Sequence, residues 1–226
     1  MKALPPDFYS RGVLEVARDL IGCTVEHRGA AGVIVETEAY HESEPACHAY
    51  VGLTPRTQTL FGAPGCAYVY RSYGIHALLN AVCEPEGVGA AVLIRALAPV
   101  AGIEQMRARR WPITDRSLGD RGHTARRDGS REQDLCSGPG KLTQALGVGL
   151  AENGSSLPIG PVRIYARAGS WLEPSLVEGT RIGITRAAEL RWRFCAAGDR
   201  HVSRPRPASL EDRPPRRVRQ TSARRI

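Results

Sequence analysis

Apolar segments with the length and period of β-strands follow one another closely along this chain, and this spacing limits the folds open to it. The segments at 67–71, 76–83 and 90–96 are separated by only a few residues each. A parallel connection needs a crossover of roughly a dozen residues or more, whereas antiparallel strands need only a short turn. The chain is therefore predicted to form one mixed α/β domain whose sheet is mainly antiparallel and not doubly wound.

The rest of the chain supplies further strands and several helices. Two strands, Cys23–His27 and Gly32–Tyr40, are predicted to form a hairpin across residues 28–31. Apolar residues at helical spacing predict an amphipathic helix over 10–22, with Ser10 as its N-terminal cap. The other predicted elements are helices over 99–110 and 141–146 and strands over 162–166 and 180–185.

Positive charge is concentrated at the C-terminal end of the chain. The formal net charge is +8 over 226 residues, and eight arginines against two acidic residues give the segment 201–226 a charge of +6. This balance fits nucleic acid as a partner, because basic side chains neutralise phosphates, and it equally fits an enzyme with a basic tail. Beyond Arg204 the sequence mixes proline with arginine and is almost free of apolar residues, which predicts disorder.

We therefore expect a single folded domain over 1–203 and a basic tail over 204–226. Residues 111–134 are polar and rich in arginine and glycine, which indicates a mobile loop. No stretch of 18 or more residues is uniformly apolar, and the N-terminus lacks the apolar core of a signal peptide, so we expect a cytoplasmic protein without a membrane partner.

The sequence indicates neither a metal nor a cofactor. Its six cysteines form no C-x-x-C pair, and no cluster of histidine and cysteine has the spacing of zinc ligands. The cysteines are typical of small buried side chains in a reducing compartment. There is also no glycine-rich phosphate-binding motif.

The segment Val33–Tyr40 carries three polar or aromatic side chains at alternate positions. The two-residue period of a strand puts Glu36, Glu38 and Tyr40 on one face. One interpretation is an edge strand with a solvated polar face. The other is a general base beside an aromatic ring on which a ligand stacks.

A second cluster contains three tyrosines. Tyr68 and Tyr70 share a strand face, and Tyr73 lies at a turn that Gly74 permits. Burial in the core would explain Tyr68 but not an aromatic ring at the tip of a turn. Clustered aromatic residues in a basic protein are typical of base stacking.

Two polar residues interrupt the apolar strands that follow. Asn80 is explained either by a structural hydrogen bond or by contact with the edge of a ligand. Arg95 is expected to pair with a buried carboxylate, and Glu38 is a candidate.

Five motifs, taken in order, resemble those of the alkyladenine (3-methyladenine) DNA glycosylases from about residue 10 to about residue 195. They are IVETEAY at 34–40, His48 with TPR at 54–56, YVYRSYG at 68–74, VLIRAL at 92–97 and CSGPGKL at 136–142. The resemblance implies a curved, mainly antiparallel sheet surrounded by helices. It also implies a DNA repair enzyme that flips a damaged purine out of duplex DNA into a pocket and hydrolyses its N-glycosidic bond.

The resemblance implies a role for each matching residue. Glu38 activates the attacking water, and Arg95 orients Glu38 and the water. Tyr73 is inserted where the flipped base has left the stack. The residues implied to line the base pocket are Tyr40, His48, Tyr70 and Asn80, of which Asn80 discriminates against normal purines. Those implied to meet DNA phosphates are Arg56 and the segment Ser137–Lys141.

The expected enzyme is monofunctional and leaves an abasic site. A glycosylase that also cleaves the strand needs an amine nucleophile, and Lys141 is the only lysine besides Lys2. The expected partner is double-stranded DNA with alkylated or deaminated purines, bound by a monomer. The alternatives are a non-catalytic protein that binds lesions or RNA structure on the same fold, and a hydrolase of free nucleosides.

Overall fold

The computed structural model of the protein describes residues 1–112 and 132–207. Most of the predicted loop at 111–134 and of the predicted tail at 204–226 lies outside these residues. The helices are α1 (Pro6–Tyr9), α2 (Val13–Leu20), α3 (Ile103–Arg110) and α4 (Pro139–Leu146). The strands are β1 (Thr24–His27), β2 (Ala30–His41), β3 (Ala67–Ser72), β4 (His76–Val82), β5 (Ala90–Ala101), β6 (Arg163–Tyr165), β7 (Leu176–Gly179) and β8 (Arg193–Ala196). Within the described ranges, no helix is both long enough and apolar enough to cross a membrane.

The strands form one sheet with β2 near its centre. Its order is β3, β4, β5, β2, β1 and β6, while β8 pairs with both β2 and β7. The pairings between these strands are antiparallel. On one edge of β2, β1 pairs with the N-terminal part and β8 with the part around Glu36–Glu38. The predicted mixed α/β class with a curved, mainly antiparallel sheet is confirmed.

The turn between β1 and β2 is shorter than predicted. Arg28 and Gly29 alone form it, with φ angles of 49° and 74°, and His27 already pairs with Ala30. Two consecutive positive φ angles are the geometry of a tight hairpin turn that matches the twist of the strands.

Two helices begin later than predicted. The helix expected over 10–22 is the shorter α2, whose N-cap is Gly12 and not Ser10. The helix expected over 99–110 is α3, which begins only at Ile103 because β5 continues to Ala101. Gly102, with a φ of 66°, separates the strand from the helix.

The predicted strand over 180–185 is wrong. This segment is a loop between β7 and β8. Its backbone does not pair with a neighbouring strand, since the Ile182 N–H binds the Glu38 carboxylate and the Arg181 side chain is buried.

Helices cover one face of the sheet and a loop covers the other. Helix α2 packs on β2 and β5, and α4 packs on β4 and β5. Alternate strand residues such as Val35, Ala39, Val92 and Ile94 form the main core on that side. On the opposite face, the loop between β2 and β3 closes over a smaller apolar cluster. Its buried members are Cys47, Ala49, Leu60, Tyr68, Val82 and Ala91. The predicted burial of the cysteines is confirmed except at Cys66, which is half-buried.

Candidate active site

A cavity of about 400 Å³, named here the main cavity, opens on the loop-covered face of the sheet. Most of the residues predicted to form the site line it: Tyr40, His48, Arg56, Tyr70, Tyr73, Asn80 and Arg95. They come from β2, β3, β4, β5, the loop after β2 and the turn between β3 and β4. The antiparallel register aligns their strands, because Tyr68 lies opposite Asn80, Asn80 opposite Leu93, and Leu93 opposite Glu38.

Glu36 and Glu38 are buried on the central strand of the sheet. Both are 0% exposed, and β2 has partners on both sides at these positions. The interpretation of this segment as an edge strand with a solvated polar face is therefore wrong. A buried carboxylate requires charged or hydrogen-bonding partners, and both residues have them.

The Glu38 carboxylate is held through both of its oxygens. Oε1 accepts a hydrogen bond from the Ile182 N–H at 2.7 Å. Oε2 accepts one from the Tyr40 hydroxyl at 2.8 Å and one from Arg95 Nη1 at 3.2 Å. Tyr40, Arg95 and Ile182 all line the cavity, so Glu38 lies directly behind its wall in a fixed orientation.

Arg95 reaches two carboxylates because it lies at a β-bulge. Ala96 pairs with Glu36 and Ile94 pairs with Thr37, so Arg95 is an extra residue on β5. Bulges re-aim side chains. Arg95 donates from Nε to Glu36 at 2.8 Å as well as from Nη1 to Glu38. The predicted pairing of Arg95 with Glu38 is observed, and Glu36 is a second partner that the sequence did not indicate.

Glu36 is the centre of a network that the sequence analysis missed. Its Oε1 accepts hydrogen bonds from Arg95, from Arg193 Nε at 2.8 Å and from the Ser203 hydroxyl at 2.9 Å. Its Oε2 accepts from the Ser203 N–H at 2.7 Å. Arg193 in turn donates to the carbonyl groups of Ser203 and Pro205. The segment after β8 is thereby tied to the arginine that contacts Glu38.

The two neighbouring carboxylates have pKa values that shift in opposite directions. Burial raises the pKa of Glu38, and the contacts from Arg95, Ile182 and Tyr40 offset this only in part. Burial acts the same way on Glu36, but ion pairs with Arg95 and Arg193 outweigh it and lower the net pKa. Paired groups with diverging pKa values are typical of acid–base sites. The surroundings therefore favour the charged form of Glu36 more than that of Glu38.

Aromatic rings form one wall of the cavity. The ring centroids of His48 and Tyr70 are 4.6 Å apart in an edge-to-face arrangement, and Tyr68 stacks on Tyr70 at 5.3 Å. His48 Nδ1 lies 3.1 Å from the Tyr68 hydroxyl. Burial, with the nearby charge of Arg56, lowers the pKa of His48, so its ring is neutral at pH 7. Tyr68, which the sequence analysis interpreted as a core residue, is both buried and part of this wall.

Asn80 combines a structural contact with a place at the cavity. Its Nδ2 donates to the carbonyl of Tyr68 at 3.0 Å and to that of Leu78 at 3.4 Å. Among the described residues, these two bonds are the only ones its side chain makes, and neither uses Oδ1. Both interpretations of Asn80 from the sequence therefore remain compatible with its position.

Tyr73 projects from the turn between β3 and β4 and is 91% exposed. It adopts a φ of 48°, followed by Gly74 at 71°. A bulky residue in the left-handed region is uncommon and is often found at functional sites. Ile75, on the other side of Gly74, is 71% exposed, so an apolar tip stands at the rim of the cavity.

The residues predicted to meet phosphates occupy two different places. Arg56 lines the main cavity. Lys141 lies instead on a second cavity of about 460 Å³ and pairs with Asp134 at 3.3 Å. Arg95 and Pro139 line both cavities. The structure therefore does not bring Lys141 to the aromatic wall.

The chain is similar in sequence to a known family and to several known proteins over most of its length. Residues 7–200 match the model of the family described as methylpurine-DNA glycosylase. A relative from Rhodopseudomonas palustris, provisionally named a 3-methyladenine DNA glycosylase, is 50% identical over 88% of this chain and 87% of its own. A relative of the same name from Bradyrhizobium diazoefficiens is 49% identical over 91% and 93%. One from Methanoculleus marisnigri is 47% identical over 89% and 98%. The resemblance noted in the sequence is confirmed, and the chain belongs to the methylpurine-DNA glycosylase family.

Proposed function

We propose that this protein hydrolyses the N-glycosidic bond of alkylated purines, such as 3-methyladenine, in double-stranded DNA and leaves an abasic site. One observation carries the proposal. A buried carboxylate, Glu38, is held by three hydrogen-bond donors that line a cavity walled by tyrosine and histidine rings. The family supports the same reaction class.

In this mechanism the Glu38 carboxylate takes a proton from water. The oxygen of that water forms a bond to C1′ of the sugar as the bond from C1′ to the purine nitrogen breaks, and the base leaves with the bonding electrons. Positive charge develops on the sugar, and a carboxylate stabilises it. The raised pKa of Glu38 makes it a stronger base than an ordinary glutamate. The charge of Arg95 limits that rise in the Glu38 pKa.

An alkylated base suits this cavity because it is cationic. A purine alkylated at N3 or N7 leaves as a neutral molecule and needs little help from an acid. The faces of Tyr40 and Tyr70 attract such a cation, by about 0.5–2 kcal/mol each. His48, neutral at pH 7, can offer one hydrogen bond without repelling it.

The reacting nucleotide must leave the duplex to reach this wall. Flipping costs a few kcal/mol and is easier for a weakly paired base. We infer that Tyr73, exposed at the rim with Ile75, fills the space in the stack and lowers this cost.

The assay that tests the proposal uses duplexes with a single 3-methyladenine or hypoxanthine. Release of the free base, followed by strand cleavage only after alkali, is the expected result. Cleavage without alkali would contradict a monofunctional enzyme. The residues that line the main cavity within the described ranges include no lysine that could form a Schiff base. Binding without base release would favour the non-catalytic alternative.

Replacing Asn80 by serine is expected to raise the release of undamaged guanine relative to hypoxanthine. In the wild type the Asn80 amide would meet the exocyclic amino group of guanine, and the shorter serine side chain removes that amide from the cavity. The measurement is single-turnover release of both bases by the wild type and by Asn80→Ser. An unchanged ratio would leave Asn80 only its hydrogen bonds to Tyr68 and Leu78.

Removal of residues 208–226 is expected to weaken DNA binding without changing the chemical step. Residues 204–207 still contact the domain, since Arg193 Nη1 donates to the Pro205 carbonyl at 2.9 Å, so the cut follows Pro207. The removed segment has six arginines and two acidic residues. Each neutralised phosphate contributes roughly 0.9 to the slope of log binding constant against log salt, so the slope should fall by a few units.

The measurement is binding to lesion and undamaged duplexes across a salt series, for the wild type and for the truncated chain. A full-length chain with these six arginines replaced by glutamine separates the charge of the segment from its length. Equal slopes for all three proteins would show that the segment does not contact DNA.

A further inference from the structure

We propose that the buried ion pair of Arg181 and Glu44 is a positioning device for the active site, which holds Tyr40 and the Ile182 N–H against the Glu38 carboxylate. The inference rests on the proposed function, because it assigns a role toward the base in that reaction. Neither residue was indicated by the sequence, in which 180–185 is predicted as a strand.

The pair is built with bidentate geometry. Arg181 Nη1 lies 2.6 Å from Glu44 Oε1, and Arg181 Nη2 lies 3.0 Å from Glu44 Oε2. The guanidinium also donates to the carbonyl groups of Ala39 and Ala187, at 3.0 and 3.2 Å. Its side chain is 0% exposed. Two parallel bonds fix orientation as well as distance, which a lysine cannot do.

The guanidinium also fixes the Tyr40 ring. Its central carbon lies 4.7 Å from the centroid of Tyr40 and 5.3 Å from that of Trp192. One face of Tyr40 is thus occupied by Arg181, which holds the ring where its hydroxyl reaches Glu38 Oε2.

The backbone next to Arg181 supplies the contact to the other oxygen of Glu38. Ile182 follows directly in the chain, and its N–H donates to Glu38 Oε1 at 2.7 Å. Glu44, the partner of Arg181, lies in the loop that leads to His48, and its Oε2 also accepts from the Ala46 N–H. One ion pair therefore connects both oxygens of Glu38 with the loop that carries the pocket histidine.

A purely structural role explains this arrangement poorly. Burying two charges is unfavourable before their attraction is counted, and apolar residues of similar volume often stabilise as well or better. Within the described part of the chain, Arg181 Nε is buried without a hydrogen-bond partner, which adds to that cost. Orientation of the neighbouring groups is the benefit that an apolar pair would not provide.

The test compares Arg181→Lys with Arg18→Lys. Arg18 is a matched control outside the cavity: it donates to Glu178 at 3.0 and 3.1 Å and lies 4.6 Å above the Phe194 ring. Single-turnover base release at saturating enzyme, affinity for the lesion duplex and thermal unfolding are measured for both variants and the wild type. A misplacement of about 1 Å can cost roughly 100-fold in rate. We expect Arg181→Lys to lose about 10- to 100-fold in the rate constant with nearly wild-type affinity, and Arg18→Lys to keep the wild-type rate.

The pH dependence of the single-turnover rate constant distinguishes a displaced active-site group from a loss of stability, because a loss of stability alone would not shift it. The Ile182 N–H favours the charged form of Glu38, so its displacement raises the Glu38 pKa and the acidic limb of the profile moves to higher pH. Displacement of the Tyr40 hydroxyl acts in the same direction, because its hydrogen bond also favours the charged form of Glu38. The other ionisable groups around Glu38 are expected to remain in place in this variant. They are Glu36 on β2, Tyr70 on β3, Arg95 on β5, and Arg193 and Cys195 on β8.

Glu44→Asp is the second variant and decides the matter if Arg181→Lys does not fold. It keeps the charge but shortens the side chain, so it draws the guanidinium away from Tyr40. We expect a smaller loss in the rate constant and a smaller shift of the acidic limb than for Arg181→Lys. Folded variants with the wild-type rate constant and an unmoved acidic limb would overturn the inference. A wild-type protein that releases no base would refute the proposed function itself, and this inference with it.

Discussion

Replacing Glu38 by glutamine is expected to abolish most base release while binding of the lesion duplex is retained. General-base catalysis is worth roughly 10²–10⁴-fold in rate, and the amide cannot take the proton from water. The variant has the same size, and Tyr40, Arg95 and the Ile182 N–H remain around it. The measurement is single-turnover release of 3-methyladenine or hypoxanthine, with affinity for the same duplex.

Glu26→Gln is the matched control for this experiment. Glu26 is also a strand glutamate that accepts a hydrogen bond from a tyrosine hydroxyl, that of Tyr165 at 3.0 Å. It lies on β1, however, and Tyr165 does not line the cavity as Tyr40 does. We expect it to release base at the wild-type rate. A Glu38→Gln protein that works within severalfold of the wild type would rule out Glu38 as the base.

The arrangement of Glu38 and Tyr40 could be predicted from the sequence because it depends on one strand. Alternation along β2 puts both residues on one face, whatever the rest of the chain does. The same is true of Tyr68 and Tyr70 on β3. The exposure of Tyr73 could be predicted from the glycine that follows it at the turn.

What the sequence did not reveal depends on contacts between distant segments. Arg193 and Ser203 meet Glu36 across more than 150 residues of chain, and neither has a local pattern that indicates this. Arg181 lies in a segment whose alternating apolar residues are typical of a strand, yet its backbone is used to bind Glu38. The bulge at Arg95 also depends on the partner strand and has no signature on β5 alone.

The buried network around Glu36 has a consequence for stability. Replacing Glu36 by glutamine is expected to lower the free energy of unfolding by about 3–5 kcal/mol at pH 7, the usual cost of removing one partner from a buried ion pair. The substitution removes the charge between Arg95 and Arg193, and the new amide nitrogen cannot accept the hydrogen bonds that Ser203 and the arginines donate. Among the described residues, Arg95 then keeps Glu38 as its one carboxylate partner, and Arg193 keeps none.

The loss should also depend on pH in a defined direction. The folded-state pKa of Glu36 is lowered below its usual value of 4.5, so its stabilising effect is complete above that value and disappears as the pH falls through the lower, folded-state pKa. Denaturant unfolding of the wild type and Glu36→Gln at several pH values should therefore give a constant difference from neutral pH to near 5, and a smaller one in more acidic buffer. Glu178→Gln removes a half-exposed partner of Arg18, where about 0–1 kcal/mol is expected. If Glu36→Gln were no more destabilising than this control, the network would not be the charged anchor of Arg95.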